Sequence, residues 1–210
     1  MSKQRLIHIG FPKCMSTALQ RDFFSMHPDI YYLGNGGFNN EHGWVDDGVA
    51  ALLEVGLRYE PELQFDDKWA LDVLGEHFDR FDNMPDKKLL CLSSESMSFT
   101  MNYDIDPMLK ASRLQRLFGE NTRILIIIRN QLDLFRSYYF ECVRGGYPGF
   151  FHEFLEFHYY YRFHSILTNM FYDKILLPHR HLFVTRVSCC SRWNCCCRVR
   201  SKHGATSFHS

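Results

Sequence analysis

Lys13 stands in a short turn that joins an apolar run to a helical pattern, and Ser16 and Thr17 follow it closely. Leu6, Ile7 and Ile9 form the run, Gly10, Phe11 and Pro12 lead out of it, and Ala18 to Met26 carries the helical pattern. Strand, loop and helix start in that order make an anion site. The first backbone N–H groups of a helix have no partner within it, and the helix dipole concentrates positive charge there. Lys13 adds a whole charge, while Ser16 and Thr17 offer hydroxyl donors and side chains able to cap the helix. A phosphate or sulfate group is the natural occupant. The plainer reading of the same turn is a solvated surface lysine.

A second cation closes a second apolar run. Arg123 to Arg129, with Ile124, Leu125, Ile126, Ile127 and Ile128 between them, reads as a buried parallel strand. A helical pattern follows from Asn130 to Tyr139. Arg129 can grip a phosphate with two N–H groups, and Ser137 adds a hydroxyl about two helical turns further on. A salt bridge at the strand end is the other fate open to Arg129.

The nucleotide-hydrolase loop G-x-x-x-x-G-K-S/T is not the pattern here, because Gly10 lies only three residues before Lys13 and no second glycine precedes it. The segment resembles instead the 5′-phosphosulfate loop of sulfotransferases that use 3′-phosphoadenosine 5′-phosphosulfate (PAPS), roughly P-K-x-G-S/T-S/T. Pro12, Lys13, Ser16 and Thr17 match it, Cys14 fills the free position, and Met15 stands where the family usually has glycine. Arg129 and Ser137 resemble the family's 3′-phosphate site, commonly R-N-P-x-x-x-x-x-S, with Gln131 in place of the proline. The resemblance covers about Arg5 to Leu182 and rests on motifs about one hundred residues apart. It implies PAPS as co-substrate, held by Pro12, Lys13, Cys14, Met15, Ser16, Thr17, Arg129 and Ser137, with no metal.

Glu95 follows a third apolar run, in the stretch Ser93-Ser94-Glu95-Ser96. Several sulfotransferase groups use glutamate as the base that takes the acceptor's proton, and some carry a similar S-S-E run. By that resemblance and by its place at a strand end, Glu95 is the candidate base and Lys13 its catalytic partner. Such help is worth about a hundred- to ten-thousand-fold when the carboxylate reaches the acceptor. A glutamate capping a turn is the plainer reading, and Ser93 or Ser94 are alternatives for orienting the acceptor. The implied reaction moves a sulfuryl group from PAPS to a hydroxyl or amine of a carbohydrate or small-molecule acceptor.

The elements that must position these residues alternate. Strands are expected at the first apolar run, Asp29 to Leu33, Lys87 to Ser93, Arg123 to Arg129 and Lys174 to Leu177. Helical patterns lie at Ala18 to Met26, Val49 to Tyr59, Asp67 to Phe81 and Pro107 to Phe118, and Gly34 to Gly48 reads as an irregular loop. Alternation of this kind predicts a three-layer α/β fold with a central parallel sheet of about five strands and ligands at their carboxyl ends. With the resemblance, the fold expected is that of P-loop nucleoside triphosphate hydrolases.

Among 210 residues, 46% are hydrophobic, with 19 Phe and 11 Tyr, enough for a sizeable core. A formal net charge of zero favours neither nucleic acid nor an anionic membrane as partner. Met1 to Arg5 leads into the first run without an apolar leader, which predicts a cytoplasmic location. His152, His158 and His164 recur every six residues, a spacing that does not gather ligands on one helix face. From Val187 the chain turns cysteine-rich, with Cys189, Cys190, Cys195, Cys196 and Cys197 but no C-x-x-C metal spacing. Residues 1–186 are therefore expected to form a sulfotransferase-like domain incomplete at its C-terminus, and 187–210 a disordered or aberrant tail. Two rival functions remain: a catalytically inactive nucleotide-binding domain, suggested by Met15 and the tail, and a P-loop kinase, which the loop spacing opposes.

Overall fold

Four of the apolar runs become strands that pair in parallel, because helices pack on both faces of the sheet and the covered backbone finds its partners in neighbouring strands. A computed structural model describes residues 3–34, 43–100, 104–161, 167, 170–173, 176, 179 and 182–189, the last six by their backbone alone. The strands are β1 (Gln4–His8), β2 (Ile30–Tyr32), β3 (Leu89–Ser93), β4 (Arg123–Ile128) and β5 (Val184–Cys189), in the spatial order β2-β3-β1-β4-β5. Every pairing is parallel. Helices cover both faces: α1 (Ser16–Ala18, widening into a π-helical stretch over Leu19–Phe24), α2 (Asp47–Ala51, likewise extended over Leu52–Gly56), α3 (Asp67–Asp82), α4 (Pro107–Phe118), α5 (Gln131–Arg144) and α6 (Phe151–Tyr160). The fold is thus α/β with a central parallel sheet, as the alternation predicts.

Alternation along the strands divides the core. Ile7, Ile9, Leu90, Leu92, Ile124 and Ile126 face one layer with Leu53, Leu74 and Leu114 from the helices. Cys91 faces the other, beneath α1, with Phe24 and Ile30. A third cluster joins Phe11 and Cys14 of the first loop to Leu134, Phe135 and Phe154 of α5 and α6. Caps fix the helix starts: Asp46 accepts from Val49 N, Asp66 from Trp69 N and Asp106 from Met108 N. Pro107 opens α4 at the position where its missing N–H costs nothing.

The fifth strand departs from expectation. It is Val184–Cys189, whereas Leu176 within the expected Lys174–Leu177 segment is helical. β5 needs only one neighbour, and β4 supplies it from Arg123↔Val184 to Ile128↔Cys189. It crosses the boundary expected at residue 186, and the rest of the tail, 190–210, lies outside the described residues. So do 35–42 of the glycine-rich loop, His164, and residues 174, 175 and 177. Among the described residues, no helix is long and apolar enough to cross a membrane.

Beneath α1 a polar pin joins the layers. His8 Nδ1 and Ser93 Oγ share a hydrogen bond of 2.7 Å, and Gln20 Nε2 donates to the same hydroxyl at 3.0 Å, all of it buried. Burial pushes the His8 imidazole down to about 4 from its ordinary 6.5, so the ring is neutral. Between pH 6.5 and 4 the unfolded chain takes a proton that folded His8 refuses, so stability is lost as pH falls through that window. In His8→Gln the pH dependence of the urea midpoint over this range should flatten, by at most about 1.4 kcal/mol per pH unit. An unchanged slope would show that His8 carries no such linkage.

Candidate functional site

Gly10 is where the sheet's carboxyl edge becomes a site. Ser94 N donates to His8 O at 2.9 Å on one side of β1. Phe11 N donates to Ile127 O at 2.9 Å, and Ile127 N to Gly10 O at 2.8 Å, on the other. The loop is therefore stitched to β3 and β4 before it turns. Gly10 has φ +104°, and a Cβ there would stand 3.1 Å from Ser98 Oγ and 3.3 Å from the Glu95 Cα. Glycine is required twice over, for its left-handed backbone and for the space that lets the Glu95 turn approach.

Lys13 and Met15 also adopt left-handed backbone, with φ 63° and 69°. For residues with side chains this costs about 1–2 kcal/mol each, strain that the surrounding stitches must hold. Met15 is the residue that precedes the helix, and no side chain caps it. The expected capping by Ser16 or Thr17 does not occur: Thr17 is exposed, and buried Ser16 turns its hydroxyl inward, 3.3 Å from Phe11 O. The helix start thus keeps its N–H groups clear of side-chain acceptors of its own, the condition for receiving an anion.

Four of the residues singled out from the sequence converge here. Burial raises the Glu95 carboxyl above its ordinary value, while a hydrogen bond from Ser16 and the charge of Lys13 pull it back. Ser16 has one proton to give, and the carboxylate is a stronger acceptor than the Phe11 carbonyl. Arg129, half-buried at the end of β4, sends Nη1 to Lys13 O at 3.4 Å. Its own carbonyl accepts from Tyr172 OH at 2.8 Å. Asn130 caps α5 by accepting from Leu132 N and Asp133 N, which fixes the helix start beside Arg129. Ser137 is half-buried on α5, one turn before Glu141 and so on the same helical face. Cys14 is buried in the aromatic cluster, Pro12 is half-buried, and Met15 is 61% exposed at the loop's rim.

The two other serines before Glu95 are buried. Ser93 is sealed in the His8–Gln20 pin and Ser94 is 2% exposed, so neither side chain presents itself to an acceptor.

Sequence reasoning missed Glu141. Its Oε2 lies 3.0 Å from Lys13 Nζ and 3.5 Å from Arg144 Nη1, with the Lys13 hydrogen bond holding its carboxyl below the ordinary range. Nothing in the local pattern of α5 points to a partner 128 residues away. The ammonium expected to meet an anion is, in this state, covered by a carboxylate of the protein itself.

Comparison with solved structures finds a crystal structure of a sulfotransferase from Alicyclobacillus acidocaldarius. The TM-score is 0.58 at 19% identity, over 90% of this chain and 74% of that one. The two share a fold. No protein-family model matches the chain, and no curated protein sequence does.

Glu141→Gln removes the competing charge but keeps the side chain's shape. It should tighten binding of inorganic sulfate at the loop by up to about fivefold, since exposed ion pairs are worth about 0–1 kcal/mol. Calorimetric titration checks this, and weaker binding would show that Glu141 aids the ligand. Met15→Gly should leave urea stability within about 1 kcal/mol, because relieved left-handed strain offsets the added freedom of the unfolded chain.

Proposed function

We propose that the chain is a sulfotransferase that takes its sulfuryl group from PAPS and passes it to a hydroxyl or amine of a carbohydrate or small-molecule acceptor. The observation that carries this reading is the grouping of Lys13, Glu95 and an uncapped helix start around Gly10. These residues fit the donor. The N–H groups of Ser16 and Thr17 suit the 5′-phosphosulfate, Lys13 swings to it from exposed Glu141, and Arg129 with Ser137 suits the 3′-phosphate. Pro12, Cys14 and Met15 shape the loop between them. When bound, the donor supplies an activated sulfuryl group and a stable phosphate leaving group.

Lys13 and the loop N–H groups offset the negative charge that grows on the oxygen between phosphate and sulfur as the S–O bond breaks. Glu95 takes the proton of the attacking hydroxyl or amine as the new bond to sulfur forms. Its raised affinity for protons suits that role, since a base works best when its proton affinity lies near the working pH. Arg129 and Ser137 fix the donor's register and make no bond to the reacting atoms. Lys13 and Arg129, rather than a metal ion, provide the positive charge in this scheme.

The test is a thermal-shift titration with 3′-phosphoadenosine 5′-phosphate, beside ATP with magnesium, on wild type and Lys13→Ala. Stabilisation of about 2.7 kcal/mol is expected at a hundred times Kd, from the 3′-phosphorylated nucleotide alone and not in Lys13→Ala. A response to ATP with magnesium alone would favour a kinase, and no response would remove the donor site. Transfer of labelled sulfate from PAPS to a panel of carbohydrates and amines should fall about a hundred- to ten-thousand-fold in Glu95→Gln. Binding without transfer by the wild type would leave an inactive nucleotide-binding domain. The rate should rise with pH through the titration of Glu95, above the ordinary glutamate range, and Ser16→Ala should move that limb further up because the lost hydroxyl favours the carboxylate.

A further inference from the structure

Lys110 is a cation on the apolar side of α4, one turn before Leu114, and it is wholly buried. Its Nζ donates to Ser96 O at 2.7 Å, to Phe99 O at 2.9 Å and to Asp104 Oδ2 at 2.6 Å. All three N–H bonds of the ammonium are thereby used. Two of them end on the backbone of the segment that begins with the turn Glu95–Met97. Ser94 provides no side-chain cap to that turn, which is otherwise held by Met97 N donating to Ser94 O (3.4 Å), by Ser98 N (3.2 Å) and Ser98 Oγ (3.3 Å) donating to Glu95 O, and by the buried Met97 side chain. Phe99, the second anchor point, packs edge-on against Phe11 of the first loop, with ring centroids 5.8 Å apart. Asp104 is 1% exposed and lies 3.4 Å from Arg58 Nη2, and Arg58 also meets buried Glu54.

Burying an ammonium is costly and is repaid only when every donor finds an acceptor. A leucine at this position would continue the apolar stripe of α4 without that cost. What a leucine could not do is bond to the carbonyls of Ser96 and Phe99.

We propose that Lys110 is a positioning residue that pins the Ser96 and Phe99 carbonyls and thereby aims the Glu95 carboxylate at the Lys13 loop. The proposal rests on the reading of Glu95 as the base. Lys110 touches neither donor nor acceptor, and its effect passes through the turn alone.

Arg113 supplies the control. It sits on the same helix, is equally buried, and bonds to Gly56 O at 2.8 Å and Glu62 Oε2 at 3.0 Å, away from the Glu95 turn. Glu95 is titrated by carbon NMR of labelled glutamate side chains in wild type, Lys110→Met and Arg113→Met, the signal being assigned with Glu95→Gln. Both substitutions should lower Tm. Only Lys110→Met should return the Glu95 titration toward the ordinary glutamate value, by at least about half a pH unit, as the freed turn admits water. Should Lys110→Met not fold, Lys110→Met/Asp104→Asn, which leaves Asp104 without a charge to neutralise, takes its place with the same expectation. A Glu95 titration unchanged in the Lys110 variant, or moved equally by Arg113→Met, would overturn the proposal. Affinity for 3′-phosphoadenosine 5′-phosphate, measured on the same samples, should stay within about twofold of wild type, because the donor loop keeps its contacts. Failure of the wild type to bind that nucleotide would strike at the sulfotransferase reading and leave the Lys110–Glu95 coupling to stand or fall on the NMR.

Discussion

Parallel pairing of β1 with both β3 and β4 is the constraint on which the site depends. The register sets His8 beside Ser93 and Leu125, so the chain leaves all of these strands along one edge of the sheet. Backbone hydrogen bonds continue past β1 as far as Phe11, which delays the turn until Gly10 has cleared its neighbours. Lys13, Glu95 and Arg129 each follow a different strand, so the pairing of the sheet brings their backbones to one edge. A slip of register would part them and expose the apolar alternation on the wrong face.

Around that edge the protein keeps several polar groups in its interior. The His8–Ser93–Gln20 pin and the Lys110–Asp104–Arg58–Glu54 cluster lie behind the site, and buried Arg113 reaches the exposed Glu62 away from it. Such groups are weak contributors to net stability, because desolvation offsets much of their attraction. Their value is directional. A hydrogen bond fixes an angle and a partner, while an apolar contact tolerates rotation and sliding. The loop's left-handed residues raise the need for such fixing, since Lys13 and Met15 would relax if their surroundings allowed it.

Much of this was legible in the sequence. Unbroken apolar runs marked β1, β3 and β4, and helical patterns marked α3, α4 and α5, because both signals depend only on neighbours in the chain. β5 was hidden: Val184–Cys189 breaks the alternation with Thr185 and Arg186 in succession and runs into a cysteine-rich stretch, and its partner β4 begins sixty-one residues earlier. The shorter run at Lys174–Leu177 looked more strand-like and sits beside a proline. In the site, Lys13, Ser16, Glu95 and Arg129 were legible as strand-end residues. Glu141 was not, because an ion pair between distant segments leaves no local mark. Lys110 left a faint one: a lysine in line with Leu114 and Leu117 breaks the apolar face of α4.

The ion pair between Lys13 and Glu141 gives the loop a threshold. An arriving anion must outbid a tethered carboxylate whose effective concentration is set by the fold and not by the cell. An anion that meets Lys13 alone exchanges one exposed charged contact for another and gains little. A ligand that also reaches Arg129 and the helix start gains enough, and the displaced Glu141 falls back on Arg144, 3.5 Å away in the starting state. Any preference of the loop for a multiply charged anion over a simple salt is thus set by the fold, before the rest of a ligand is read.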